Sequence, residues 1–245
     1  MTLTEPYGVK IAEAVVKCGG VDALVQVSEK YCTADDQTLF SVWKTLRNLV
    51  SIKESRSLMG QNQQMKILDT AFSTLEKLKN ENIKAEDTLL RIIKTLQKLV
   101  ENDHFFSHGM VVMKEKRFAA QCLSLLQRET EKGKSFWIGD EECVETTIDL
   151  LIECISKGEH KLIVDSDWKA FVPFCISALL TFYDSGEVQR NAVWLLKRSV
   201  GAIDTKDTDL YAFVLENLIL LLKSDRIRDS IKKDARRICD GMKEN

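Results

Sequence analysis

The side chains best suited to chemistry in this chain are two histidines, a Gly-Lys-Ser triplet and seven cysteines. His104 and His108 stand at i, i+4 in Asp-His-Phe-Phe-Ser-His, a spacing that can bring two imidazoles onto one metal ion. The glutamate of a helical zinc protease is missing and no Cys-x-x-Cys pair accompanies them, so the expectation is a surface pair on a short helix. His160 has no companion. Gly133-Lys134-Ser135 matches the end of a phosphate-binding loop, but Arg128 stands where the loop needs its earlier glycine, and a helix rather than a strand precedes it. The cysteines, at 18, 32, 122, 143, 154, 175 and 239, are widely spaced in mostly apolar helical patterns. None has a local His and Asp or Asn to make it a nucleophile, and buried thiols in a reducing compartment are expected. These residues predict no enzyme, no cofactor and no metal.

The elements that must position any site are helices. A chain of 245 residues with 44% hydrophobic and 29% charged residues can bury a core. Two prolines and eleven glycines are too few for a sandwich or barrel with many tight turns, and no segment alternates apolar and polar residues for long. The fold class is all-α. Without a run of about 18 apolar residues or a basic and apolar N-terminus, neither a membrane span nor a signal peptide is predicted. The expected location is the cytoplasm, with the nucleus open to it. A net charge of −2 lacks the basic footprint of general nucleic-acid binding, although a local basic patch stays open.

Self-similarity organises the helices into sets of short helix, helix, longer helix. Tyr7–Cys18 closes at Gly19-Gly20; Val21–Cys32 follows; then the polar turn Thr33-Ala34-Asp35-Asp36 leads into Gln37–Val50. The second set uses a short segment from Lys53, then Met65–Leu78 and Glu86–Glu101. The third uses Asp103–Met110, Val112–Gln127 and Glu141–Ser156, with a long polar link, Arg128–Asp140, between its last two helices. The fourth uses Glu159–Asp165, Trp168–Tyr183, with Pro173 in the first turns, and Gly186–Gly201. The fifth uses Ala202–Thr208, Asp209–Lys223 and Arg228–Met242, where Asp234 replaces Ala192 as suits a terminal unit. Aligning the third helices at Leu46, Leu96, Leu151, Leu196 and Ile238 gives intervals of 50, 55, 45 and 42 residues. Repeats therefore run over 7–50, 51–102, 103–156, 157–201 and 202–245 of a single domain, 1–245.

Gly-Gly-Val-Asp-Ala-Leu-Val (19–25), Leu-Arg-Asn-Leu-Val (46–50) and Val-Gln-Arg-Asn-Ala-Val-Trp-Leu-Leu (188–196) resemble the armadillo-repeat pattern. The resemblance implies a right-handed α-solenoid of about five armadillo-like repeats, whose third helices line a concave groove that binds extended peptides or a partner's surface. The alternative architecture is a HEAT-repeat solenoid with two helices per repeat; the glycine-terminated short first helix favours armadillo.

If third helices line a groove, the residues two before and two after each alignment position face it. These are Lys44 with Asn48, Lys94 with Lys98, Asp149 with Glu153, Trp194 with Arg198, and Arg236 with Asp240; one turn earlier stand Ser41, Arg91, Thr146, Asn191 and Lys233. In the fourth repeat Val188, Ala192, Leu195, Leu196 and Val200 form the buried stripe, leaving Gln189, Asn191, Trp194 and Arg198 off it. Against the tryptophan and asparagine array of importin-α-like armadillo proteins, only Asn48 and Trp194 match. The faces are basic in repeats one and two, acidic in repeat three, and carry Trp194 among cations beyond. That order fits a protein partner with acidic groups facing Arg91, Lys94 and Lys98 and an apolar residue at Trp194; the competing reading is a solvated face. Neither a small-molecule substrate nor a membrane is expected, and nucleic acid is disfavoured. Phe136 and Trp137 in the long link serve either as a loop contact for a partner or as an anchor to the adjoining helix. The six Lys and Arg of Arg226–Arg237 alternate with acids and read as a solvated terminal helix. The expected function is a non-catalytic adaptor or scaffold. Its rivals are a HEAT-type tubulin-binding module and a co-chaperone of the heat-shock-chaperone type.

Overall fold

A computed structural model describes residues 6–31, 36–80, 86–129, 136–138, 140–157, 165–200 and 208–243. Their helices are α1 (Pro6–Lys17), α2 (Gly20–Tyr31), α3 (Asp36–Ser51), α4 (Lys53–Leu58), α5 (Gln61–Asn80), α6 (Glu86–Val100), α7 (Asp103–Glu115), α8 (Phe118–Leu126), α9 (Glu141–Lys157), α10 (Asp165–Thr181), α11 (Gly186–Val200), α12 (Thr208–Lys223) and α13 (Asp229–Lys243). Two three-residue strands, β1 (Gln127–Glu129) and β2 (Phe136–Ile138), are the only ones among the described residues. The chain divides into two units, Met1–Phe118 and Ala119–Asn245.

In the first unit, α1 to α3 follow the expected order of a repeat. Gly19 ends α1 with φ +78°, and its N–H donates to the Val16 carbonyl at 3.2 Å. A side chain is strained in that left-handed conformation, so glycine is required there for its φ. The order recurs in α4, α5 and α6, with α3 packed on α6 and α2 on α5. The core between them holds Leu39, Trp43, Leu46, Ile67, Leu75, Ile92 and Leu96, each at most 1% exposed. Such side chains stabilise by roughly 1.5–3 kcal/mol apiece on burial. Phe72 of α5 meets Phe118 edge-on, with centroids 5.7 Å apart and planes at 87°.

The third set differs from its expected boundaries. The first helix does not stop at Met110: α7 continues to Glu115, and the break falls at Arg117, whose φ is 51°. Gly109 lies inside α7, where a Cβ would sit 2.6 Å from Cε1 of the buried Phe105 ring. It permits close packing and marks no turn. The helix expected to reach Gln127 ends at Leu126, and the chain enters an antiparallel ladder pairing Gln127 with Ile138, Arg128 with Trp137 and Glu129 with Phe136. Three residues per strand are too few for alternation to register in a sequence.

In the second unit α11 packs against α9, α10 and α13, α12 against α10 and α13, and β2 lies beside α10. Its core includes Ile148, Leu151, Phe171, Phe174, Leu195, Leu196 and Leu218. Pro173 is not in a first turn, because α10 begins at Asp165. It sits in the helix interior, where it removes the hydrogen bond to the carbonyl of residue 169. The expected short helices at 159–165 and 202–208 fall almost wholly outside the described residues, as do the turn 33–35, His160 and Gly133-Lys134-Ser135.

Candidate functional site

The five alignment residues of the third helices are all core. Leu46, Leu96, Leu151 and Leu196 are fully buried and Ile238 is 6% exposed. Positions two residues to either side turn outward: Lys44, Arg198, Arg236 and Asp240 are exposed, while Asn48, Lys94, Lys98, Asp149, Glu153 and Trp194 are half-buried. One turn earlier, Ser41 and Lys233 are exposed and Arg91 and Asn191 half-buried, but Thr146 is buried. Its hydroxyl donates to the Glu142 carbonyl at 2.7 Å, which satisfies it inside the protein. Gln189 also departs from expectation: it is fully buried, and its Nε2 donates to the Tyr183 carbonyl at 2.6 Å. The turn from α10 into α11 covers it and supplies a partner that helical periodicity does not reveal.

The face of the first unit is built on α3 and α6. Both helices place their acids only in the N-terminal turn, at Asp36, Glu86 and Asp87, and their bodies carry Lys44, Arg47, Arg91, Lys94 and Lys98. Acids at the start complement the helix dipole and leave the rest of each helix basic. Phe40, half-buried on α3, joins the two helices: Lys44 Nζ lies 5.8 Å and Arg91 Cζ 5.6 Å from its ring centroid. These are cation–π distances. Lys98 pairs with Glu101 one turn on. The face is held in register by Arg56 of α4, which donates to the Val50 carbonyl at 3.1 Å and the Lys98 carbonyl at 2.9 Å and lies 3.6 Å from Glu101. Both carbonyls belong to helix C-termini, which have no intrahelical donor. Nothing in the spacing of Arg56 indicates this role, because its two acceptors are backbone atoms 6 and 42 residues away.

The face of the second unit is built on α9, α11 and α13, and its electrostatics are opposite on α9. That helix carries Glu141, Glu142, Glu145, Asp149 and Glu153 against one cation, Lys157, which lies 3.2 Å from Glu153. Asn191 of α11 reaches across to donate Nδ2 to Asp149 Oδ1 at 2.6 Å. Burial raises the Asp149 carboxyl above its ordinary range, Glu187 and Glu153 add to this, and the Asn191 hydrogen bond opposes it. Glu145 is raised for the same first reason, with Asp149, Glu187, Glu141 and Glu142 contributing. Sequence reasoning named Asp149 and Glu153 but not Glu145 or Glu187. The signal for Glu145 was available, since Glu141, Glu145, Asp149 and Glu153 recur every four residues. On α11 the Arg198 guanidinium stands 5.1 Å from the Trp194 ring centroid, so the pair forms one half-exposed aromatic and cationic surface.

Elsewhere, Arg226, Arg228 and Arg237 are exposed, as expected of a solvated terminal helix, and each also makes a contact within the fold. Arg226 lies over the Tyr183 ring at 5.1 Å, Arg228 packs against Gly186, and Arg237 reaches Asp234 at 3.4 Å. Phe136 and Trp137 lie in β2, which is beside α10. A cavity of about 270 Å³ opens between α2 and α5, where its lining residues Lys66 and Asp22 are paired at 2.6 Å. Lys66 and Gln63 hold the Asp22 carboxyl below its ordinary value. Burial raises the thiols of Cys122, Cys154 and Cys175, which keeps them protonated at neutral pH. His104 and His108 are on α7. Among the described residues no group of three or more His, Cys, Asp or Glu is placed to hold a metal ion, and no helix is long and apolar enough to cross a membrane. No protein-family model matches the chain, and a search of curated proteins gives no match.

Proposed function

We propose that this chain is a non-catalytic adaptor of the armadillo type, which recognises protein partners through the outward faces of its third helices. The observation that carries the reading is the split within those helices: the alignment residues are buried while all ten neighbours two positions away are exposed or half-buried. A register set by repeat spacing thus separates core from surface, as a repeated binding surface requires. The side-by-side packing of α3 with α6, and of α11 with both α9 and α13, supports it. Trp194 with Arg198 provides an aromatic anchor with a fixed charge, the residue types that dominate interface energies. Lys44, Asn48, Arg91, Lys94 and Lys98 suit a partner's acidic side chains, and Asp149, Glu153, Asn191 and Arg236 complete the polar surroundings of the anchor.

The test is affinity purification with the wild-type chain beside Trp194→Ala/Arg198→Ala and Lys94→Glu/Lys98→Glu variants. Partners held by the anchor are expected to bind about 30-fold more weakly to the first variant, the effect of truncating an interface hot spot of roughly 2 kcal/mol. An unchanged partner set for both variants would refute the adaptor reading.

A further inference from the structure

We infer that the basic α3–α6 face of one copy docks on the acidic α9 face of a second copy of this chain, giving salt-dependent self-association. The inference rests on reading the α3–α6 face as a docking surface and names its occupant. Charge complementarity carries it. The bodies of α3 and α6 hold five cations and no acid, while α9 holds five carboxylates and one lysine. The two faces belong to different units of the same chain, so every copy carries both halves of a complementary pair.

The stripes also match in length. Arg91, Lys94 and Lys98 fall at i, i+3 and i+7 on α6, spanning about 10 Å at 1.5 Å per residue; Glu145, Asp149 and Glu153 fall at i, i+4 and i+8 on α9, spanning about 12 Å. Aligned, the two helices can bring three opposite charges together without bending. Neither side is a deep desolvated pocket: the Lys98 side chain is 38% exposed and Glu153 25% exposed. Contacts of this kind give weak, readily screened association. Glu187 of α11 adds a sixth carboxylate near Asp149 and Glu145, and the mutual repulsion within this group is relieved when a basic surface arrives.

The experiment is sedimentation of the purified full chain over a concentration series, at about 50 mM and about 500 mM salt. At low salt the mass is expected to rise with concentration above the 27.9 kDa of one chain, and the dissociation constant to increase at least about tenfold at high salt. Two charge-reversed chains sharpen the test: Lys94→Glu/Lys98→Glu, which makes the three-residue α6 stripe net acidic, and Asp149→Lys/Glu153→Lys, which makes the facing α9 stripe net basic. Each alone is expected to stay monomeric, and an equal mixture to associate, because mixing restores opposite charges at every contact. A wild-type chain that is monomeric throughout the low-salt series overturns the inference, as does a mixture of folded variants that remains monomeric. If a reversed chain fails to fold, judged by helical circular dichroism, the wild-type concentration and salt series decides alone. A monomeric wild type that still loses partner proteins on Lys94→Glu/Lys98→Glu removes self-docking and leaves the adaptor reading standing.

Discussion

Replacing Arg56 with methionine keeps a long apolar stem but removes the guanidinium that closes the ends of α3 and α6. The side chain is only 16% exposed, so water cannot fully replace the two hydrogen bonds it donates to the Val50 and Lys98 carbonyls at 3.1 and 2.9 Å. Hydrogen bonds from charged donors contribute about 1.5–3 kcal/mol each, and partial rehydration of the carbonyls favours the low end. The Glu101 ion pair, at 3.6 Å with Glu101 36% exposed, adds at most about 1 kcal/mol. The expected loss is about 3 kcal/mol for the first unit, or roughly 10 °C in its melting temperature. Urea unfolding followed by helical circular dichroism measures it. Arg56→Lys is expected to retain about half, because both bonds leave the one Nη1 nitrogen, and the shorter, more strongly hydrated lysine ammonium does not reach the same point between the two carbonyls. A loss below about 1 kcal/mol for Arg56→Met, or an equal loss for Glu101→Gln, would refute the view that carbonyl capping rather than the ion pair is the main contribution.

Three further outcomes follow from the geometry. Glu145 and Asp149 have carboxyls raised in the folded state, so between their unfolded values, near 4.5 and 3.8, and their higher folded values the native chain binds more protons. Their contribution therefore favours folding at low pH and is lost as pH rises through that window. Glu145→Gln/Asp149→Asn should unfold at higher denaturant than wild type at pH 7 and lose most of that advantage near pH 4; an advantage that does not change with pH counts against it. Gly19→Ala should cost about 1 kcal/mol, because the left-handed φ strains a side chain although no atom lies within 4 Å of the added methyl. Gly109→Ala should cost about 1–3 kcal/mol for a different reason, the displacement of the buried Phe105 ring, and a Phe105→Leu background should relieve part of it.

The helices were legible because most of them bury a stripe at the helical period: α3 and α6 come within a residue or so of their expected limits, and all five alignment residues are core. Where the sequence misled, tertiary neighbours supplied what periodicity lacks. Gln189 was assigned to the surface, yet the Tyr183 carbonyl makes its burial tolerable. The helix expected to stop at Met110 runs on to Glu115, and Gly109 within it leaves room for the Phe105 ring. Pro173 stands inside α10, in a helix with a buried core at Phe171, Phe174 and Cys175.

By itself the sequence determined the helical class, the register of the third helices and the alternation of charge from one set to the next, all properties of spacing along one chain. Only the tertiary structure decided that Arg56 closes two helix ends, that Phe40 sits beneath Lys44 and Arg91, and that Asn191 bonds Asp149. Apart from Phe40 and Lys44, which share α3, the partners in these contacts lie on different helices, up to 51 residues apart in the case of Phe40 and Arg91. Local periodicity constrains which face of a helix is buried but carries no term for what packs against it.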